Sequence, residues 1–330
     1  MADFLVAVWS PQWRDFKDLD LQTKARRFAA AAQGAHAAML AFSTRVGMHA
    51  PSMLFAAPEY YFVEDDNFGL LTPERRTTVE AIVRVLSGQL NNMVIVPGSI
   101  NYRTEAGMMA GAVARGRPQR TYVAQSYCPV YANGGLLNRY YKRFNDGTYD
   151  NQVDGTPGFQ DAYFLAGNHP GNFGFRGHSM GVDICGDYGE SRLAGDVGEG
   201  VLDLHVLCSG THDNVFDEST RIAARDGGYF VHSDSDDHPL ADKQKNGVWS
   251  VMRGKGMHGG KGRSLAGTAS DAALADPRVA HIPADRRLAI KINAHMNRTG
   301  AEVVKNVTKM SDLKLNIPGV GNIKVYTCPL

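Results

Sequence analysis

Apolar and polar positions alternate in blocks along the N-terminal part of the chain. Residues 4–9 form an apolar run typical of a buried strand, and residues 21–42 repeat alanine and leucine at helical spacing. Residues 52–57 and 93–100 indicate two further strands, and residues 78–90 between them have a helical pattern. The chain therefore opens with alternating strands and helices, which favours an α/β fold.

Two hairpins are predicted in the middle of the chain. The first joins residues 122–130 to residues 136–141 through the turn residues 132–135, which contain an Asn-Gly pair. The second pairs residues 173–175 with residues 179–185. Because hairpins are mixed with strand-helix units, we expect layered mixed sheets and not a purely parallel doubly wound sheet.

Beyond the second hairpin the pattern is less regular. Residues 191–198 and 219–226 predict helices, and residues 201–208 and 229–232 predict strands. Residues 233–263 are rich in glycine, aspartate, histidine and lysine, which predicts a long surface loop. No internal repeat or linker separates these segments, so a single domain is expected.

Composition narrows the class of protein. The chain has 330 residues, of which 43% are hydrophobic, and 35 basic against 34 acidic residues leave a net charge of +1. A balanced charge gives no global attraction to nucleic acid or to a membrane surface. No apolar stretch approaches the roughly 18 to 20 residues that span a bilayer. We therefore expect no nucleic-acid partner and no membrane association.

The four cysteines show no regular spacing, and the N-terminus does not resemble a secretion signal. This predicts reduced thiols and a cytoplasmic protein. Residues 232–238 contain histidines and aspartates without a diagnostic ligand spacing, which favours a solvated loop over a metal site. The Gly-Lys segment at 254–262 fails the phosphate-loop spacing. No metal and no cofactor are expected.

Three reactive side chains lie where buried strands are predicted to end. Glu59 follows Pro58, Lys142 ends the first hairpin, and Cys185 ends the second. Each alone has an ordinary structural explanation, since a cysteine on a buried strand is usually inert packing. Together they can supply a general base, an oxyanion stabiliser and a nucleophile for acyl transfer.

Their neighbours favour the catalytic interpretation. Tyr60 begins an aromatic triplet that would desolvate Glu59 and raise its pKa towards neutrality. Gly186 begins a turn-like segment whose backbone N–H groups could hold an oxyanion beside Cys185. We therefore treat Tyr60 and Gly186 as possible auxiliary residues.

These segments carry a resemblance to a known family. Ala-Pro-Glu at 57–59, Tyr-Tyr-Lys-Arg-Phe at 140–144 and Val-Asp-Ile-Cys-Gly-Asp at 182–187 resemble the three signatures of the nitrilase, or carbon-nitrogen hydrolase, superfamily. Their order and separation also match, and the likeness extends over roughly residues 4–232, including residues 221–229, which resemble a family helix that ends before a strand. Residues 257–330 match little and form a poorly matched C-terminal extension.

The resemblance implies a fold, a mechanism and partners. It implies a four-layer α-β-β-α sandwich with mixed sheets. It also implies Cys185 as nucleophile, Glu59 as general base and Lys142 as the residue that stabilises the tetrahedral intermediate. The expected partner is a small-molecule amide, nitrile or carbamoyl compound, and a homodimer or larger homo-oligomer is expected. Substrate choice would reside in predicted loops at residues 60–72, 103–120, 145–162 and 233–263.

The sequence departs from the family pattern after the cysteine and after the lysine. Gly186 stands where an aromatic residue is common, and Glu190 lacks a preceding proline. Many members carry a second glutamate beyond the lysine, whereas this chain offers Asp146 and Asp150, of which Asp150 is the preferred auxiliary carboxylate.

Two alternative functions stay open. Residues 177–181 fit the Gly-x-Ser-x-Gly nucleophile elbow of α/β-hydrolases, which would make Ser179 the nucleophile of a serine esterase. That elbow requires a helix after the serine, whereas a strand pattern follows here. A catalytically inactive hydrolase scaffold that acts as a binding protein is the other alternative.

Overall fold

The computed structural model describes most of the chain, in nine ranges: residues 3–63, 69–105, 122–145, 162–210, 221–235, 246–253, 301–305, 309–317 and 320–330. Within these ranges the strands form two mixed sheets. We call the nine-stranded sheet sheet A and the six-stranded sheet sheet B. None of the helices in the described ranges has the length and apolar character needed to span a membrane.

Sheet A is built around three parallel strands from the N-terminal part of the chain. These are β1 (Asp3–Ser10), β2 (Ser52–Ala56) and β3 (Met93–Val96), paired in that order. The long strand β5 (Tyr122–Ala132) runs antiparallel beside β3. The other strands of the sheet are β4 (Ile100–Glu105), β6 (Gly135–Tyr141), β7 (Ala162–Phe164), β14 (Lys309–Ile317) and β15 (Gly321–Pro329).

Sheet B contains the strand that leads to Cys185. Its central strands β9 (His178–Ile184), β10 (Leu202–Ser209) and β11 (Ala224–Asp234) are parallel. The flanking strands are β8 (Asn172–Phe175), β12 (Gly247–Arg253) and β13 (Ala301–Lys305). Because the carboxyl ends of parallel strands lie at one edge of a sheet, the ends of β9, β10 and β11 lie side by side.

The two long helices begin at residues whose side chains cap them. Asp20 accepts a hydrogen bond from the Thr23 N–H at 2.8 Å and begins α2 (Leu21–Arg45). Thr72 caps α3 (Pro73–Gln89), with proline at the first helical position, where its missing N–H is not needed. Three short helices complete the set: α1 (Trp13–Phe16), α4 (Gly186–Gly189) and α5 (Arg192–Val197).

The apolar core forms separate layers on the two faces of sheet A, as the side chains of β1 show. Its side chains alternate between two apolar clusters, so Val6 and Val8 face sheet B while Ala7 and Trp9 face the long helices. Phe28 and Met39 of α2 and Val79 and Val83 of α3 cover that second face of sheet A. Leu193 of α5 and Tyr188 of α4 lie on the outer side of sheet B. The predicted α/β class with two mixed sheets in an α-β-β-α arrangement is confirmed.

The predicted hairpin turns are also present. Asn133 and Gly134 have φ values of 50° and 78°, the left-handed pair that a tight hairpin turn requires between β5 and β6. The second hairpin joins β8 to β9.

Three local predictions are wrong. The strand predicted at 93–100 divides into β3 and β4, because Gly98 turns the chain at φ 80° after a proline that lacks an N–H. The helix predicted at 219–226 is not formed in its described part. There β11 begins at Ala224, opposite Leu202, so sheet pairing overrides helix propensity. The loop predicted at 233–263 contains the end of β11 and all of β12.

The C-terminal extension contributes strands to sheet A. β15 pairs with β1 antiparallel over eight residues, and β14 pairs with β15. The last strand of the chain, β15, is therefore a direct neighbour of the first strand, β1. The single-domain organisation stays a prediction.

Candidate active site

The structure brings the three predicted catalytic residues together between the two sheets. Lys142 Nζ donates a hydrogen bond to Glu59 Oε1 at 3.0 Å, and both side chains are fully buried. Cys185 is 9% exposed, and the charges of both partners act on its thiol. Three residues distant in the sequence therefore form one buried cluster.

Glu59 is held by both sheets. Its backbone N–H donates to the Ser209 carbonyl of β10 at 3.2 Å. The next residue, Tyr60, has a positive φ of 58°, and its N–H donates to Ser99 Oγ at 3.2 Å. Gly98 packs so closely that a Cβ there would lie 1.9 Å from the Pro58 carbonyl oxygen. The turn between β3 and β4 thus supports the backbone that presents the carboxylate.

Lys142 is held by the strand before it and by a carboxylate from the cysteine segment. Its N–H donates to the Ser126 carbonyl of β5 at 2.8 Å. Asp187, two residues beyond Cys185, accepts hydrogen bonds from Tyr140 Oη at 2.6 Å and from the Phe144 N–H at 2.6 Å. Asp187 therefore fixes the chain on both sides of Lys142 and couples the lysine segment to the cysteine segment.

Burial is the largest cause of a raised pKa at Asp187. It raises the pKa of this carboxyl to about 6, although the hydrogen bonds from Tyr140, Arg143 and Phe144 oppose the shift. The sequence motif Cys-Gly-Asp contains this residue, but the motif alone does not show which backbone groups the carboxylate binds.

Cys185 lies at a sharp junction between β9 and α4. Its φ and ψ are 41° and −107°, outside the regions that a non-glycine residue normally occupies, and its N–H donates to the Cys208 carbonyl at 2.9 Å. Strained backbone of this kind persists only where the surrounding structure enforces it, and it clusters at active sites. The junction turns the cysteine side chain into the apolar layer between the sheets.

Gly186 has a steric reason to be glycine. A Cβ at this position would lie 2.5 Å from Cδ1 of Phe144. The departure from the family pattern is thus explained, because the space beside residue 186 is taken by the aromatic ring that follows Lys142. The role of the Gly186 N–H as an oxyanion donor stays a prediction.

The electrostatics of the site keep the thiol protonated. Burial raises the pKa of Cys185 well above its usual value, and the negative charges of Glu59 and Asp234 raise it further. The Lys142 ammonium and a hydrogen bond from the Gly210 N–H act in the opposite direction. A reaction at this thiol would therefore need a base within reach to take its proton.

Asp234 is a functional candidate that the sequence predictions missed. The registers of β9, β10 and β11 place Cys185, Ser209 and Asp234 at the ends of three neighbouring parallel strands. Ser209 Oγ lies 2.5 Å from Asp234 Oδ2 and 2.6 Å from His232 Nε2. Because the hydroxyl has one proton to give to the carboxylate, His232 donates to Ser209. In the sequence, the signal that could have identified Asp234 is that β9, β10 and β11 are each followed by, or end in, a polar residue or a cysteine.

The remaining predicted residues have mixed outcomes. Tyr60 is part of the site, since Lys142 Nζ lies 5.8 Å from the centroid of its ring. Asp146 and Asp150 lie outside the described residues. Ser179 lies within β9, and its hydroxyl is 3.1 Å from Asp203 Oδ2. A strand and not a helix follows Ser179, as the sequence predicts, and the strand-to-helix junction belongs to Cys185.

Comparisons with known proteins give structural neighbours only. No protein-family model and no curated protein matches the chain. Among solved structures it is similar to an amidase of the nitrilase superfamily from Nesterenkonia, at 12% identity and a TM-score of 0.43, covering 71% of this chain and 76% of that one. A CN-hydrolase superfamily protein from Xanthomonas campestris is also similar, at 11% identity and a TM-score of 0.41. That match covers 71% of this chain and 76% of the other chain.

A glutamine-dependent NAD+ synthetase from Acinetobacter baumannii is also similar, at 15% identity and a TM-score of 0.40. The match covers 63% of this chain and 32% of that chain, so this chain spans about a third of the synthetase. All three likenesses are coarse, and the grouping of Glu59, Lys142 and Cys185 rests on the contacts described above.

Proposed function

We propose that the protein is a thiol-dependent hydrolase of carbon-nitrogen bonds other than peptide bonds, acting on a small-molecule amide, carbamoyl compound or nitrile. The observation that supports this most is the buried ion pair of Glu59 and Lys142 beside a cysteine held at a strained strand-to-helix junction. A buried ion pair costs desolvation free energy, and sites that retain one beside a nucleophile are candidates for catalysis.

In the first half of the proposed reaction, Glu59 takes the proton of Cys185 as Sγ attacks the amide carbon. The electron pair of the C=O bond moves to the oxygen, and the Lys142 ammonium stabilises the resulting negative charge. Glu59 then gives its proton to the nitrogen, the C–N bond breaks and the amine leaves. A thioester on Cys185 is the product of this half.

In the second half, Glu59 removes a proton from water, which attacks the thioester carbon. The C–S bond breaks, the acid is released, and the proton returns to the sulfur. The raised pKa of the thiol fits these steps, because a neutral thiol in the resting site avoids a third negative charge in addition to those of Glu59 and Asp234. A nitrile substrate would pass through a thioimidate in place of the tetrahedral amide adduct.

The test is a panel of small primary amides, carbamoyl compounds and nitriles with four proteins: wild type, Cys185→Ala, Cys328→Ala and Ser179→Ala. We expect ammonia release by the wild type and by both the Cys328 and Ser179 variants, and none by Cys185→Ala. Cys328 is a matched control because it is a free, buried cysteine on a strand far along the chain.

Intact-mass analysis of the quenched reaction should show one acyl group on Cys185. Turnover by Cys185→Ala would sink the proposal, and loss of turnover in Ser179→Ala alone would favour the serine esterase. The absence of both turnover and adduct over the whole panel would favour a binding scaffold. The homo-oligomeric state and the cytoplasmic location stay predictions.

A further inference from the structure

Two buried polar side chains beside Lys142 make no hydrogen bond within the described part of the protein. Asn101 is 1% exposed, and neither its Oδ1 nor its Nδ2 has a partner. Ser126 is 2% exposed, and its Oγ has no partner either. Most buried polar groups in folded proteins are satisfied, so three such atoms on two adjacent residues need an explanation.

The strand registers place both residues in a row with Lys142. Asn101 of β4 lies directly opposite Ser126 of β5, and the Ser126 carbonyl accepts the hydrogen bond from the Lys142 N–H. Residues opposite each other on paired strands point to the same side of the sheet. Asn101, Ser126 and Lys142 therefore follow one another across three neighbouring segments of sheet A.

The alternation along these strands shows which side that is. Ile100 and Tyr102 flank Asn101 and pack in the cluster beneath the long helices, as does Tyr127 next to Ser126. Asn101 and Ser126 therefore face sheet B. Cys128, two residues from Ser126, belongs to the apolar layer between the sheets. The pair lies on the same side of sheet A as the catalytic cluster.

A neighbouring residue shows the contrast. Ser99 precedes Asn101 by two residues and is fully buried, but its Oγ accepts the hydrogen bond from the Tyr60 N–H beside Glu59. The hydroxyl of Ser99 therefore has a structural partner in the segment that carries Glu59. Asn101 and Ser126 lie about one strand repeat, roughly 7 Å, further from that point.

We propose that Asn101 and Ser126 form a specificity subsite that binds a neutral carboxamide or ureide group at the far end of the substrate's acyl chain. An asparagine side chain offers one acceptor and an N–H donor, and a planar amide or ureide returns one of each. The row contains no ionised group except Lys142, which is paired with Glu59, so it suits a neutral group better than a carboxylate. The inference rests on the proposed function, since it names the substrate class of the same site.

The test compares amides that differ only at the far end. Malonamide, succinamide and glutaramide carry a second carboxamide, and 3-methylbutanamide, 4-methylpentanamide and 5-methylhexanamide replace it by an isopropyl group of similar shape. At the preferred chain length we expect the wild type to favour the diamide in kcat/KM by about 10- to 100-fold, the factor for leaving buried polar groups unpaired.

The variants are Asn101→Leu, which keeps the size and removes both polar atoms, and Ser126→Ala. Asn91→Leu, at an exposed turn, is the control. Asn101→Leu should reduce kcat/KM for the diamide by about 10- to 100-fold while that for its isopropyl partner stays or rises. Ser126→Ala should reduce the same preference by a smaller factor. If Asn101→Leu does not fold, the change in diamide preference of Ser126→Ala tests the subsite.

Equal rates on both members of every pair in the wild type would overturn the inference, as would variants that slow both members equally. Thermal-shift titration of Cys185→Ala with the same pairs gives a readout without turnover, and diamide-selective stabilisation is expected. If amides are hydrolysed through Cys185 but without this selectivity, the subsite fails and the proposed function stands. If no amide forms an adduct on Cys185 but the diamides still bind selectively, the proposed function fails and the subsite stands.

Discussion

Replacing Gly98 by alanine should misplace Glu59 without touching it. A Cβ at this position would lie 1.9 Å from the Pro58 carbonyl oxygen, about 1.5 Å short of ordinary contact at 3.4 Å. The obstacle is backbone, so the segment that carries Glu59 has to move. A displacement of about 1 Å at a catalytic group can cost about 100-fold in rate. The alanine also adopts a φ of 80°, which costs roughly 1 to 2 kcal/mol.

Gly47 provides a matched control for that conformational cost. It has a φ of 73°, and no atom lies within 4 Å of the Cβ that alanine would add. Gly47→Ala should therefore lose roughly 1 to 2 kcal/mol of stability and keep its activity. Gly98→Ala should lose about 1 to 3 kcal/mol more through overpacking, and about 100-fold in kcat/KM for an amide that the wild type hydrolyses.

The assay combines urea unfolding with kcat/KM for all three proteins, measured at a temperature where each is folded. The comparison isolates the steric effect because both variants carry the same backbone penalty. Equal stability of the two variants, together with an activity of Gly98→Ala within twofold of Gly47→Ala, would refute the reasoning that this turn holds Glu59 in place.

Three further predictions concern the charges of the site. Asp234→Asn removes a negative charge that raises the pKa of Cys185, so that pKa should fall and alkylation by iodoacetamide at pH 8 should become faster; an unchanged rate would contradict the electrostatic coupling. Glu59→Gln removes the carboxylate that forms a fully buried ion pair with Lys142 and should cost about 3 to 5 kcal/mol in urea unfolding, part of which Lys142→Met in the same chain should restore. Asp187 has a pKa of about 6 in the folded state against 3.8 ordinarily, so the folded state holds its proton more tightly and stability should fall by about 3 kcal/mol as pH rises from 3.8 to 6. Asp187→Asn should lack this loss, and parallel pH profiles of the two proteins would count against it.

The positions of the three candidate catalytic residues at strand ends could be predicted from the sequence because their signal is local. Glu59, Lys142 and Cys185 each follow a short apolar run, and the end of a run predicts the end of a buried strand. The Asn-Gly turn of the first hairpin is equally local, since its two left-handed residues need nothing beyond their own side chains.

Predictions failed where sheet pairing competed with local preference. Residues 221–226 contain good helix formers, yet β11 begins within them at Ala224, which pairs with Leu202. The end of β11 and the whole of β12 were assigned to a loop because glycine, aspartate, histidine and lysine are frequent in residues 233–263, which contain them. These errors share one cause, which is that the partner strand is distant in the sequence and decides the outcome.

By itself, the sequence determined three candidate side chains and the strand ends that present them, because side-chain type and hydrophobic period are properties of short segments. The tertiary structure decided which other residues join them. The registers of β9, β10 and β11 place Asp234 two strands from Cys185, where its charge acts on the thiol, and those of β4 and β5 place Asn101 opposite Ser126. Packing of Phe144 explains Gly186, and the return of β15 to β1 joins the two ends of the chain. Such contacts depend on which strands meet and in which register, and only the folded chain supplies that information.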